Sequence, residues 1–311
     1  MSIVFGAIPS RRLGRSLGIN NIPYKYCTYS CVYCQLGATN SMTTIIRDFF
    51  SPGAVFEETK QKLYELESAG ELVDYITFVP DGEPTLDINL GVMIEKLKSL
   101  GKPVAVITNS SLINDKNIRN ELMLADWVSL KIDSASPSIW EKINRPHGSL
   151  RLNKIINGLI KFASEFSGEL VTETMLVKNI NTSFGSLRKT AEVISKINPS
   201  TAYIIVPTRP PAESFVQAPD EERINAAYQI FSEFKINAEL LTHYEGAEFS
   251  YTHDVQKELL SILAVHPMRI DAVKVLLNKA NSGWEIIDNL IKKNLIKEST
   301  YSNNSFIIRK Y

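Results

Sequence analysis

Cys27-Thr28-Tyr29-Ser30-Cys31-Val32-Tyr33-Cys34 holds all three cysteines of the 311-residue chain. The spacing is C-x3-C-x2-C, with an aromatic residue just before the last cysteine. Three thiolates this close in sequence can hold three irons of one [4Fe-4S] cube and leave the fourth iron without a protein ligand. An iron left open in this way is where chemistry can happen. Two simpler readings compete. A structural zinc site wants four Cys or His ligands, and His147, His243, His253 and His266 are all remote in sequence. Cys31-Val32-Tyr33-Cys34 alone could form a redox dithiol, which would leave Cys27 without a role. An odd number of cysteines in one tight group argues against a disulfide framework, and none is left over for a second cluster.

Outward from this loop, 311 residues are long for one domain and comfortable for two, and 44% hydrophobic residues are ample for a large core. No apolar run approaches the roughly 18 to 20 residues a membrane-spanning helix requires. Met1 to Pro9 is too short an apolar stretch before Arg11 and Arg12 to serve as a signal peptide. The expected compartment is therefore the cytoplasm, with no membrane partner. Lys+Arg and Asp+Glu both number 34, so no global charge pulls the chain towards nucleic acid.

Leu17 to Ile22 reads as a first strand, with the cysteine loop directly behind it. Five more β-like runs follow at Val73 to Val79, Pro103 to Thr108, Asp126 to Ile132, Glu169 to Val177 and Thr201 to Val206. Helical spacings separate them, among them Leu90, Ile94 and Leu97, and Leu187, Ala191 and Ile194. Asp220 is a candidate N-cap for a last helix carrying Ile224, Tyr228 and Phe231. Alternation of this kind implies an α/β parallel sheet with right-handed crossovers, doubly wound or curled into a barrel. Past Phe249 the pattern becomes three short helices, Val255 to Val265, Arg269 to Ala280 and Ser282 to Asn294, then a hairpin around Ser302-Asn303-Asn304. Ser282 and Glu285 suggest a capping box. Tyr251 to Asp254 reads as the connection. Three helices and a β-wing resemble a small winged-helix domain, here with nine Lys/Arg and five Asp/Glu over 255–311, a modest +4.

The cysteine array resembles the signature of the radical S-adenosylmethionine (radical SAM) superfamily, in which the free iron chelates the methionine end of the cofactor. The likeness covers roughly residues 1–250. It implies a partial (β/α)6 barrel whose cluster loop, held through Cys27, Cys31 and Cys34, follows the first strand, with cofactor groups at the C-terminal ends of the strands. The winged-helix-like domain would occupy 255–311. Pro80-Asp81-Gly82-Glu83-Pro84 looks like the family's G-G-E-P turn with Asp81 in place of the first glycine. In relatives that turn receives the cofactor's α-amino group, which implies Gly82, Glu83 and Pro84 as cofactor-binding; an ordinary Asp-Gly turn is the plain alternative. Thr108-Asn109-Ser110 is similar to the family's T-N-G, implying Asn109. Ser129, Lys131 and Asp133 alternate and so share one strand face, which is solvated or turned towards ribose hydroxyls and the methionine carboxylate, as the family uses this strand. Tyr33 would pack near the adenine.

Glu173 interrupts an otherwise apolar strand, so it faces the cavity or is paired there. Arg209 closes the last strand, and with Glu173 it is a catalytic candidate. Arg11, Arg12, Arg15 and Arg209 are substrate candidates able to clasp a carboxylate or phosphate, with structural salt bridges as the equal alternative. The stretch His243 to Phe249 could border the cavity. The resemblance implies that a one-electron donor such as ferredoxin or flavodoxin reduces the [4Fe-4S] cluster. S-adenosylmethionine is then cleaved to methionine and a 5′-deoxyadenosyl radical, which takes hydrogen from an unidentified RNA, peptide or metabolite. The cysteine count separates the chain from superfamily members with auxiliary clusters. A winged helix can bind nucleic acid through a helix in a groove, hold a peptide along its wing, or act as a lid or dimer contact. The competing class is an iron-sulfur redox-sensing DNA-binding regulator, for which +4 is small and the six-strand core superfluous.

Overall fold

The computed structural model describes residues 3–243, 246, 247, 249–251 and 254–310. Eight strands form one open sheet: β1 Val4–Ser10, β2 Gly14–Ile19, β3 Tyr75–Phe78, β4 Val104–Thr108, β5 Trp127–Lys131, β6 Glu169–Met175, β7 Thr201–Ile205 and β8 Ala238–Leu241, side by side in chain order. β1 and β2 are an antiparallel hairpin, and every pairing from β2 onward is parallel. Parallel neighbours need a crossover, and each is helical: α1 Pro52–Ser68, α2 Leu90–Lys98, α3 Lys116–Leu122, α4 Pro137–Asn144 with α5 Leu152–Glu165, α6 Phe184–Ile197 and α7 Glu221–Glu233. The middle strands are apolar on both faces because both are covered, as in Val104, Ala105 and Val106. Helix starts are marked by side-chain caps: Asp115, Ser183 and Asp220 each accept a backbone N–H of the first turn.

The six expected strands are all present; the first lies three residues earlier than expected, at Gly14–Ile19 instead of Leu17 to Ile22, and the other five are each shorter by one to three residues. β1 and β8 were not expected. β1 is broken as a pattern by Gly6 at φ +92°, and β8 is a four-residue edge whose Glu239 and Leu240 are exposed. The sheet is open, with β1 and β8 at its edges, rather than a closed barrel.

Beyond the sheet come α8 Val255–Val265, β9 Met268–Arg269, α9 Ile270–Lys279, α10 Glu285–Lys292, β10 Ile296–Tyr301 and β11 Asn304–Arg309, with β11 between β9 and β10. Ser302 and Asn303 both take positive φ, 47° and 62°, the requirement of a tight two-residue hairpin turn. The expected capping box is corrected. Trp284 is the N-cap of α10, and Ser282 Oγ is spent on Ala280 O at 3.1 Å, at the end of α9. A second apolar core gathers Leu259, Ile262, Val273, Leu276, Leu290 and Ile307. This part is held to the sheet by Phe5 against Ala264 and Val265, by Lys62 to Glu258 at 2.5 Å, and by Glu71, which takes both Arg15 and Lys279. Among the described residues no helix is long and apolar enough to cross a membrane. Thr252 and His253, read as part of the connection, lie outside the described residues.

Candidate active site

A parallel sheet sends the ends of its strands, and the loops behind them, to one side. Three of those loops lock the cysteine segment in place. After β3, a Cβ on Gly82 would stand 1.7 Å from Tyr26 O, so only glycine lets the cysteine loop lie against this turn; Glu83 N–H then donates to the same carbonyl at 3.1 Å. After β4, Asn109 Nδ2 donates to Thr28 Oγ1 at 2.8 Å and to Cys27 Sγ at 3.5 Å. After β5, the end of α4 leaves carbonyls without helical partners, and the cysteine loop supplies them. Ser30 N–H donates to Asn144 O at 3.0 Å and Val32 N–H to Ile143 O at 2.9 Å.

Each sulfur receives its own N–H donor: Cys27 from Asn109, Cys31 from Asn144 Nδ2 at 3.4 Å, and Cys34 from Lys25 Nζ at 3.3 Å. All three thiols are free and half-buried. Burial pushes the Cys27 thiol up to about 12 and the Cys31 thiol well above its usual range, with the neighbouring carboxylates of Glu83 and Asp133 next in effect. Bound iron reverses this preference, because it holds thiolates. N–H donors suit thiolate acceptors, so the residues fit a cluster gripped at three corners. Among the described residues no three His, Cys, Asp or Glu gather closely enough for a single metal ion. His147, the histidine nearest this loop, gives it only its backbone N–H, to Thr28 O at 2.9 Å, while its ring pairs with Ser149.

Glu83 is 1% exposed, and both its oxygens are engaged. Oε1 accepts from Thr85 N, Thr85 Oγ1 and Thr108 Oγ1 at 3.2, 2.7 and 2.6 Å; Oε2 accepts from Asn109 N at 2.7 Å. It is thus the tie between the β3 and β4 turns, and Oε2 keeps an acceptor position. Ser110, where the family pattern has glycine, takes φ 65° and accepts Lys131 N–H on its hydroxyl at 3.0 Å.

Asp81 exchanges two hydrogen bonds with Asn20, both at 3.0 Å, and its other oxygen is buried without a partner. Burial pushes its carboxyl up to about 7, against the opposing pull of Asn20 and of the Lys25 and Arg309 charges. A carboxyl raised in the folded state keeps its proton where the unfolded chain, near 3.8, has lost it. Its contribution to stability is therefore full at low pH and is lost as pH rises from about 4 to about 7. Asp87 and Glu121, also raised to about 7 by burial, act in the same sense. Asp81→Asn is expected to stabilise the protein on the order of 3 kcal/mol at pH 8 and to flatten the urea midpoint between pH 4 and 7. An unchanged pH slope would contradict this account of Asp81.

Ser129, Lys131 and Asp133 all turn inward. Ser129 Oγ donates to Glu173 Oε1 at 2.7 Å, and Lys131 Nζ lies 3.7 Å from Asp133 Oδ1, 3.9 Å from Glu173 Oε2 and 5.2 Å from the Tyr33 ring centroid. Asp133 also accepts from the Tyr33 hydroxyl, from Asn144 Nδ2 at 2.7 Å and from Met175 N at 2.8 Å. Glu173 pairs with Arg12. Burial pushes the Glu173 carboxyl up, but Arg12 and Lys131 outweigh it and hold it below the usual carboxylate range. Beside these groups lies a cavity of about 290 Å³ lined by Arg11, Arg12, Tyr33, Cys34, Lys131, Glu173 and Arg209, among others. Arg209 donates to Gln35 Oε1 at 2.6 Å and contacts His266 Nε2 at 3.2 Å, so α8 closes one side. Burial and the Arg209 charge keep His266 neutral, its pKa well below the usual value.

The sequence profile of the Radical SAM superfamily matches residues 21–183. A UPF0026 protein of Methanocaldococcus jannaschii is 43% identical over 311 residues, covering 99% of this chain and 96% of that protein. The chain belongs to the radical SAM superfamily. Two solved structures share the fold: a radical SAM methyltransferase from Sphaerobacter thermophilus, 14% identical with TM-score 0.56, and Streptococcus suis SuiB bound to S-adenosylmethionine, 12% identical with TM-score 0.53. Each similarity covers 73% of this chain, and it spans 66% and 51% of those two proteins.

Radical SAM enzymes use a [4Fe-4S] cluster and S-adenosylmethionine and need an electron donor, so this chain is an enzyme of that class. Of the residues its radical SAM resemblance singles out, Cys27, Cys31, Cys34, Tyr33, Gly82, Glu83, Asn109, Ser129, Lys131 and Asp133 stand on one connected network, and Pro84 opens the short turn behind Glu83. Arg11, Arg12, Glu173 and Arg209 line the cavity. Arg15 does not join them. It pairs with Glu71 at 2.8 Å, beside Lys279, because the positive φ of Gly14 turns the hairpin and sends it elsewhere. His243 accepts a hydrogen bond from Arg11 on its carbonyl; Tyr244, Glu245 and Glu248 of the same stretch lie outside the described residues. Lys25, Asn144, Gln35 and His266 were not foreseen, and no spacing in the sequence marks them.

Proposed function

We propose that Cys27, Cys31 and Cys34 hold the [4Fe-4S] cluster, that S-adenosylmethionine lies over it, and that the protein takes a hydrogen atom from a substrate in the adjoining cavity. The observation that carries this reading is the donor set: three half-buried sulfurs, each with its own N–H donor, of which Cys34 lines the cavity. When bound and reduced by one electron, cluster and cofactor supply methionine and a 5′-deoxyadenosyl radical. The protein's own share is orientation and exclusion of water. Gly82 to Pro84 and Asn109 face the cofactor's amino acid end, with Oε2 of Glu83 available to an ammonium. Ser129, Lys131 and Asp133 serve its ribose and carboxylate, and Tyr33 its adenine. Lys131 stands between two carboxylates and keeps a cationic face on the cavity. Arg11, Arg12 and Arg209 line the substrate side, which fits a carboxylate or phosphate group. Glu173 and Arg209 are the candidates for contact with the reacting part of the substrate.

Residues 1–250 are read as the radical SAM domain and 255–311 as a winged-helix-like domain that offers its hairpin or a helix to a nucleic acid or peptide. What supports the division is the separate apolar core and the helix, strand, helix, helix, hairpin order. Three thiols that must stay reduced suit the cytoplasm. The test is anaerobic reconstitution with iron and sulfide, addition of S-adenosylmethionine and dithionite, and chromatography for 5′-deoxyadenosine. Accumulation of that product is expected; its sustained absence with a fully loaded cluster would overturn the reading.

A further inference from the structure

Lys25 stands two residues ahead of the first cysteine, is 2% exposed, and takes φ 58°, a conformation that side-chain-bearing residues avoid. Its backbone is clamped. Ser41 N–H donates to Lys25 O at 3.1 Å, and Tyr26–Cys27 pairs with Ser41–Met42 immediately after it. Its Nζ donates to Gly37 O at 2.6 Å and to Cys34 Sγ at 3.3 Å. No carboxylate among the described residues forms an ion pair with it. The Asp81 carboxyl feels its charge without pairing with it, and a buried ammonium with no directly paired counter-charge is disfavoured. The thiolate that Cys34 becomes on binding iron provides the missing charge. The other two sulfurs receive neutral amide donors, from Asn109 and Asn144, so the ammonium touches the Cys34 corner directly and reaches Cys27 only through space. Cys34 is also the cysteine that lines the cavity.

We propose that Lys25 is a positioning residue that raises the reduction potential of the cluster, an inference that rests on the cluster assignment above. Reduction adds one electron from an external one-electron carrier, moves no proton and breaks no bond. It makes the thiolate-bound body more negative by one charge. A fixed ammonium on one of its sulfurs therefore lowers the reduced state more than the oxidised one.

The experiment is an anaerobic redox titration, followed by electron paramagnetic resonance, of reconstituted wild type, Lys25→Met, Lys25→Gln and Lys25→Arg, with iron content measured on each. Lys25→Met is expected to shift the reduction equilibrium at least tenfold against the reduced form, about 59 mV to lower potential for one electron. Lys25→Gln is expected to shift in the same direction, and Lys25→Arg, which keeps the charge, to stay within about threefold of wild type, under half of that tenfold step in millivolts. Loading of Lys25→Arg alone among the three variants would equally support the role of the charge. A loaded Lys25→Met or Lys25→Gln with an unmoved potential overturns the proposal, and so does Lys25→Arg losing its cluster or shifting as far as Lys25→Met. Failure of the cluster assignment itself is distinguishable, because it appears as a missing cluster in the wild type.

Discussion

Replacing Cys31 with alanine is expected to abolish iron-sulfur loading and 5′-deoxyadenosine formation while the chain remains folded. Two thiolates cannot hold a cube that three were arranged to hold. The fold survives because the loop has other anchors: Tyr26 O against Gly82, Thr28 against Asn109, and the Ser30 and Val32 N–H groups on the end of α4. Asn144, which donates to Cys31 Sγ, keeps its 2.7 Å bond to Asp133. The loss in stability of the metal-free protein should be about 1 kcal/mol, a shift of about 2–4 °C in melting temperature. Iron content and product assay on matched preparations check this. Cofactor cleavage retained in Cys31→Ala would contradict the ligand assignment.

The second large effect is expected from the smallest change, Gly82→Ala. The added carbon would stand 1.7 Å from Tyr26 O and 2.7 Å from Tyr26 C. Both are backbone atoms, so no side chain can rotate away and the chain itself must move. Overpacking of this kind costs about 3 kcal/mol or more, which lowers the melting temperature by about 6–12 °C. The displaced segment is the one that carries Cys27, so its sulfur leaves Asn109, and cluster loading should fall with stability. Gly148→Ala is the control. Its Cβ meets nothing within 4 Å, and its φ is ordinary, so a change within about 0.5 kcal/mol is expected. If Gly82→Ala melts and loads like Gly148→Ala, the turn is not holding the cysteine loop.

The parallel core was legible because burial on both faces writes apolar runs such as Val104-Ala105-Val106-Ile107 into the sequence, with helical spacings between them. The edges were not. β8 is only half shielded, and the register shift between Phe5 and Ile8, with Gly6 at positive φ, erases the alternation of β1. The cysteine loop and the 82–84 and 108–110 turns could be read because their chemistry is local, each carried by a few adjacent residues. Ser110 even reproduces, at φ 65°, the conformation that a glycine would supply. Contacts that join distant segments left no such trace. Asn144 reaches Cys31 from the end of a helix, His266 reaches Arg209 from the far lobe, and Lys25 looks like any solvated lysine until the loop closes over it. Arg15 shows the opposite error: nearness in sequence to Arg11 and Arg12 suggested a shared role, and the turn of a hairpin separates them.

The central claim is that one iron of the cluster has no protein ligand and accepts S-adenosylmethionine. Mössbauer spectroscopy of protein reconstituted with ⁵⁷Fe tests it most directly. Adding S-adenosylmethionine should set one iron of each cluster apart from the other three, and the Cys31→Ala protein should show no cubane at all. Four irons that stay alike when the cofactor is added would contradict the account.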